Sequence, residues 1–196
     1  MIHKPIPKEG KLHLEKVISA VYDRGEGKGA KINVDIIAKD GAGEPVFTNT
    51  MGYLNRWAGG FGGPKVPHST VVIPEREADY QIKDAYPENV PLLYRLTGDT
   101  YPLHADPAFA KKAGFDRPIV HGLCSLGYAC RMMIGALFPG EPERMVSIEN
   151  QFRAVALPGD HFTLCVWKTG KNEALFRMVK DSDGKAILDY GRMTWK

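Results

Sequence analysis

Along the first third of the chain, apolar and polar residues largely alternate. Leu12, Leu14, Val17, Ile18 and Val21 lead into a glycine-rich turn, Gly25-Glu26-Gly27-Lys28-Gly29. Ile32, Val34, Ile36 and Ile37 follow, and Asp40-Gly41-Ala42-Gly43 separates them from Val46, Phe47, Met51 and Tyr53. Alternation bounded by Gly/Asp turns predicts three antiparallel strands. The pattern breaks at residues 56–68, RWAGGFGGPKVPH, where glycine and proline dominate. The predicted organisation is an incomplete first repeat over 1–58, a Gly/Pro-rich linker and connecting segment over 59–93, and a second repeat over 94–196.

The second repeat changes period. Pro107 can open a short helix, PAFAKKAG, that closes at Gly114. After Pro118, residues from about Val120 to Phe138 are apolar on nearly every face, which predicts a buried helix. Strand patterns return from Met145 to Trp195, with turns at Pro158-Gly159-Asp160, Thr169-Gly170-Lys171-Asn172 and Asp181-Ser182-Asp183-Gly184. One buried helix followed by an antiparallel meander predicts an α+β fold with the sheet wrapped around the helix. The last third repeats the first in outline, and two such copies are expected to pack their sheets side by side. The first copy has no buried helix before it, so either another chain supplies the partner helix or an N-terminal piece is absent. A sheet with one uncovered apolar face predicts a homodimer.

Composition narrows the class without naming a chemistry. The 196 residues are 43% hydrophobic and 25% charged, with a formal net charge of +3 from 26 basic and 23 acidic residues. That balance argues against a nucleic-acid partner, while a mildly basic rim suits a small polyanion. Cys124, Cys130 and Cys165 are odd in number and lack metal spacing, and read as free buried thiols of a reducing compartment. The N-terminus has no apolar signal core, and no stretch reaches the roughly 18 apolar residues of a membrane span. The terminal Met193-Thr194-Trp195-Lys196 is not a Ser-Lys-Leu address. The reading is an intracellular protein, peroxisomal or cytoplasmic.

The candidate chemistry lies in Leu96-Thr97-Gly98-Asp99-Thr100-Tyr101-Pro102-Leu103-His104-Ala105-Asp106-Pro107. Gly98 permits a sharp turn and Pro102 stiffens the loop, so Asp99 and His104 can meet and move the protons of one water. Pro118-Ile119-Val120-His121-Gly122 then opens the buried helix, where free N–H groups and the positive dipole end lie. Gly122, without a side chain, lets a carbonyl oxygen approach its N–H, an oxyanion hole in outline. Each half has a bland alternative: Asp and His as cap and surface groups, Gly122 as a packing glycine. The remaining histidines, His3, His13, His68 and His161, read as surface groups, and Tyr128-Ala129-Cys130 with Met132 and Met133 as core.

Tyr94-Arg95-Leu96-Thr97-Gly98-Asp99-x-x-Pro102-Leu103-His104-x-Asp106-Pro107, continued by Ala113-Gly114-Phe115-Asp116-x-Pro118-Ile119-x-His121-Gly122-Leu123-Cys124, resembles the hydratase 2 signature of MaoC-like dehydratases. The likeness is greatest to the hydratase 2 unit of peroxisomal multifunctional enzymes of type 2, whose inter-repeat linker is matched by Gly59-Gly60-Phe61-Gly62-Gly63. It covers nearly the whole chain. The resemblance implies a double hot-dog fold, here with a first repeat lacking its N-terminal strand and helix, and (3R)-specific hydration of trans-2-enoyl-CoA. It implies no metal and no redox cofactor, with the coenzyme A thioester as substrate. By position it implies Asp99 and His104 as the water-activating pair and Gly122 as the oxyanion donor. Arg24 matches a basic residue near coenzyme A, and Phe152 a substrate-contacting position. A solvated turn charge and a plain core residue remain the alternatives for those two. His121 is expected to shape the oxyanion turn at the substrate, and Tyr101 to face the substrate where the family has Asn. Tyr101 and the short first repeat imply altered long-chain specificity. Three functions stand open: the (3R)-hydratase; a related thioester dehydratase acting on a carrier-protein or non-fatty acyl substrate; and a non-enzymatic acyl-CoA-binding module, if Tyr101 fills the water site.

Overall fold

Strands form where the first third alternates. In the computed structural model, which describes residues 1–196 as two units, Met1–Thr70 and Val71–Lys196, the first unit holds β1 (His13–Asp23), β2 (Ala30–Lys39) and β3 (Pro45–Asn55). They form an antiparallel sheet in that order. Leu14 stands opposite Ala38, Ile18 opposite Val34, and Val21 opposite Ile32; across the next seam, Ile32 faces Tyr53 and Val34 faces Met51. Directly opposed residues share a face, so these positions make one apolar face. A bulge between Ile18 and Ala20 brings Val21 onto the face that Leu14 and Ile18 began. The other face carries Asp35 and Thr50, joined by a 2.6 Å hydrogen bond from the Thr50 hydroxyl. Leu14, Ile18, Val21 and Tyr53 remain exposed on the apolar face.

The β1–β2 turn is closed by Asp23, whose carboxylate accepts the N–H groups of Gly25 and Gly60 at 2.8 Å and of Gly62 at 2.7 Å. Glycine is required at position 29. Its φ is +83°, and a Cβ there would lie 2.4 Å from the Asn55 carbonyl oxygen.

The second unit contains β4 (Tyr80–Ala85), α1 (Val90–Tyr94), α2 (Pro107–Lys112), α3 (Gly122–Leu137), β5 (Met145–Phe152), β6 (His161–Gly170), β7 (Glu173–Lys180) and β8 (Ala186–Trp195). The five strands run antiparallel in the order β4-β6-β7-β8-β5. Residues 80–93, read from sequence as connecting chain, thus supply an edge strand and most of a short helix. α3 lies on the sheet. Its Cys124, Ala129, Met132 and Met133 are buried with Phe162, Leu164, Val166, Phe176, Met178 and Leu188 of the strands. Burial of large apolar side chains, at about 1.5–3 kcal/mol each, holds the helix there. The opposite stripe of α3, with Leu123, Gly127, Arg131 and Gly135, is exposed, and Arg131 pairs with Asp84 at 2.5 Å. An antiparallel sheet wrapped on one long helix is the α+β hot-dog arrangement that the resemblance implies.

Candidate active site

The motif loop is built from short turns. α1 runs into a 3-10 turn, Arg95–Thr97, which Gly98 ends at φ +123°. Asp99, Thr100 and Tyr101 cross to a second 3-10 turn, Pro102–His104. Asp106 then caps α2: its carboxylate accepts from the N–H groups of Ala108 (2.8 Å) and Phe109 (3.2 Å). The Asp106-Pro107 pair in the motif is therefore a helix start, and it fixes the loop's far end.

Two main-chain carbonyls assign the histidine protons. His104 Nδ1 lies 2.9 Å from the Ile119 carbonyl oxygen, and His121 Nε2 lies 3.2 Å from the Asp99 carbonyl oxygen. A carbonyl only accepts, so each of these nitrogens donates. His104 thereby keeps an Nε2 lone pair, and His121 an Nδ1 lone pair that is buried without a hydrogen-bond partner. The two rings stack, with centroids 3.7 Å apart and planes 23° apart, and Tyr94 packs on His121 at 4.7 Å. His121 is 1% exposed. Burial, and then the adjacent His104, hold its pKa below the ordinary histidine value. A neutral His121 fits the stack, because two imidazolium rings at that separation would repel.

Donor atoms of Asp99, His104 and His121 all lie within 4.8 Å of one another. These are groups that could in principle hold a metal. Rings stacked in nearly parallel planes hold their free lone pairs in separate planes, which does not fit a tetrahedral N/O cage. The Asp99 carboxylate is exposed and accepts one long bond, 3.3 Å, from the Tyr101 N–H. Tyr101 turns its ring edge-on to Phe109, at 5.5 Å, with its centroid 6.3 Å from that of His104.

Beside this pair opens a cleft of about 200 Å³. His104, Gly122, Ser125, Phe152 and Arg153 line it, with an apolar wall of Ile119, Val120, Val155, Ala156 and Ile187. Gly122 is the first residue of α3, and no side chain caps that helix end. The Phe152 ring lies against it: a Cβ on Gly122 would come 3.1 Å from two ring carbons. Phe152 itself is 51% exposed. The geometry can therefore do three things: hold a small polar molecule between a carboxylate and an imidazole lone pair, present free helix N–H groups to an oxygen, and seat an apolar tail.

Six of the expected residues lie in the second unit: His104, Gly122 and Phe152 line this cleft, Asp99 and His121 gather at His104, and the Tyr101 ring stands 6.3 Å from the His104 ring. Arg24 lies in the first unit, where it donates to the Lys28 carbonyl at 3.0 Å. It lines, with Lys65, a separate open hollow of about 690 Å³. Ser125 lines the cleft and escaped the sequence reading, because it sits inside a helix read as apolar on nearly every face. Its only sequence signal is its spacing, three residues after Gly122.

The family model for a MaoC like domain matches residues 69–188. The chain belongs to that family. It is 36% identical over 190 residues to a protein named probable enoyl-CoA hydratase 2 of Dictyostelium discoideum, covering 95% of this chain and 64% of that one. It is 35% identical over 190 residues to mouse peroxisomal multifunctional enzyme type 2, covering 95% of this chain and 25% of that one. The crystal structure of a MaoC-like dehydratase from Phytophthora capsici superposes with a TM-score of 0.91 at 32% identity, over all of this chain and 68% of that one. The chain thus spans about two thirds of the length of a separate hydratase and a quarter of the multifunctional enzyme.

Proposed function

We propose that the protein is a hydro-lyase that adds water reversibly across the double bond of a trans-2-enoyl-CoA thioester, giving the (3R)-3-hydroxyacyl-CoA. The observation that carries this is the convergence of the Asp99 carboxylate and the His104 ring beside the uncapped N-terminus of α3. In this reading Asp99 and the His104 Nε2 lone pair hold the water. One of its protons passes to that pair as its oxygen bonds the β-carbon, and a proton returns to the α-carbon, so that one water is added overall. The negative charge that develops on the thioester oxygen meets the Gly122 N–H and the positive end of α3. Phe152 lies along the acyl group, and Tyr101 walls the loop side. His121, kept neutral, holds the Asp99 main chain and backs the His104 ring.

Arg24 matches the position of a basic residue near coenzyme A, so Arg24→Ala is expected to raise KM for the CoA thioester. The exposed apolar face of β1–β3 supports self-association as a homodimer, which light scattering tests; a monomer at all concentrations refutes it. The proposal calls for no metal or redox cofactor. No helix is long and apolar enough to cross a membrane.

The experiment is hydration of crotonyl-CoA and of a medium-chain trans-2-enoyl-CoA, with Asp99→Asn in parallel. Loss of enoyl-thioester absorbance in the wild type alone, with (3R) product, supports the reading. Binding of both thioesters with no turnover of either favours an acyl-CoA-binding module instead.

A further inference from the structure

Ser125 is a hydroxyl in an apolar place. It is 1% exposed, on the buried face of α3, among the methionines and aromatic rings of the core. Positions three apart on a helix lie on one face, so Ser125 stands a turn above Gly122, and both line the cleft that His104 borders. The Tyr86 hydroxyl donates to Ser125 Oγ at 2.8 Å, with the Met178 sulfur, 3.4 Å away, as its longer second acceptor. Tyr86 is 2% exposed and wedged by Phe162 and Tyr128, with ring centroids 4.5 and 5.2 Å away. Burial raises its pKa well above the ordinary tyrosine value, which keeps the phenol protonated.

A serine hydroxyl offers one donor and two lone pairs. Tyr86 takes a lone pair, and no protein group accepts the serine proton in return. A donor that is itself receiving a hydrogen bond is polarised and gives a stronger bond onward. Ser125 is also one of the residues that line the cleft.

We propose that the Ser125 hydroxyl is a second hydrogen-bond donor to the thioester oxygen, acting beside the Gly122 N–H. The inference rests on the hydratase reading above and adds a catalytic residue to it. Tyr86 is then a positioning residue, orienting Ser125 from the core without touching substrate. Two donors one helical turn apart would grip the oxygen as it gains charge, and the Tyr86–Ser125 chain would carry part of that charge inward.

The test compares Ser125→Ala, the isosteric weak donor Ser125→Cys, the hydroxyl-restoring Ser125→Thr, and Tyr86→Phe. Loss of one oxyanion donor costs on the order of 10²-fold in kcat. Ser125→Ala and Ser125→Cys are expected to show that loss with KM unchanged, Ser125→Thr to recover most of the rate, and Tyr86→Phe to fall between. The second readout is a chromophoric cinnamoyl-CoA thioester, whose absorption moves to the red when its carbonyl is polarised. Bound to Ser125→Ala or Ser125→Cys, it is expected to shift less than on the wild type. Wild-type kcat in Ser125→Ala overturns the proposal. So does a lost kcat with an undiminished red shift, because the loss is then one of packing. Wild-type turnover abolished by Asp99→Asn establishes the hydratase reading in the same assay. If the wild type fails to hydrate, that reading fails, while the bound probe still reports whether Ser125 polarises the carbonyl.

Discussion

Asp23, at the end of β1, and Asp99, in the motif loop, both stand within two residues of a glycine, and the fold uses them in opposite ways. In the first unit, both Asp23 oxygens are occupied by main-chain N–H groups, one from its own turn and two from a segment 37 and 39 residues away. Those bonds, that of Gly25 foremost and then that of Gly60, hold its carboxyl below the usual aspartate range. The glycine-rich stretch thus forms a nest already filled by the protein's own anion. In the second unit Asp99 accepts one long bond from its own loop and leaves an oxygen free beside His104 and His121. A carboxylate with both oxygens engaged fixes structure. One with an oxygen to spare, next to a base with a free lone pair, is equipped for chemistry.

The largest expected effect is therefore catalytic. Asp99→Asn should cost about 10²–10⁴-fold in kcat and leave the melting temperature nearly unchanged, checked by enoyl-thioester absorbance and calorimetry. A large loss of stability in this variant would erase the contrast with Asp23. For Asp23→Asn the expectation reverses: the main effect is on folding. A carboxyl whose native pKa is depressed contributes stability that is complete above its unfolded value of 3.8 and is lost as pH falls through the native one. Denaturant titrations at stepped pH should show the wild type losing stability in that acid window and Asp23→Asn, weaker throughout, losing less of it there.

Two glycines carry the comparison further. Gly122→Ala keeps an ordinary backbone angle, and its Cβ presses only on the Phe152 ring, a side chain that can move by a few tenths of an ångström. Displacement of the ring and of the helix end is expected to lower kcat about tenfold, short of the 10²-fold that follows a full ångström of misplacement. Adding Phe152→Leu should recover part of the loss. Gly29→Ala has no such remedy, since its Cβ meets main chain at 2.4 Å with φ at +83°. A Gly122→Ala loss that Phe152→Leu leaves untouched would mean the ring is not what transmits it.

What could be read from sequence followed the reach of each interaction. The strands of the first third were legible because alternation is a local signal. Gly98, Pro102 and the helix start at Pro107 were legible for the same reason. β4 was not: its six residues lie among prolines and charges, and pairing with β6 gives the segment its identity. Asp23 finds its partners 37 and 39 residues away, and Ser125 meets Tyr86 across 39. No short-range pattern encodes those distances. His121 was read as a residue shaping its own turn, whereas the fold stacks it on His104 and ties it to the Asp99 carbonyl. The exposed stripe of α3 was also hidden, because glycines between apolar residues look alike whether they face a core or open surface.

Asp106 falls between the two aspartates and gives the smallest effect. One of its oxygens takes two N–H groups of α2, so it is a structural carboxylate, but the bonds are local and close no distant segments. Asp106→Ala should lower stability by about 1 kcal/mol, as for other helix N-caps, which a denaturant titration resolves. α2 is only six residues long and carries Phe109, on which Tyr101 rests, so some of the loss should reach the loop as a modest fall in kcat. His104 is tied separately to the Ile119 carbonyl, which limits that fall. If Asp106→Ala were to match Asp99→Asn in kcat while keeping its stability, free oxygens would no longer distinguish the aspartate that does chemistry from those that hold the chain.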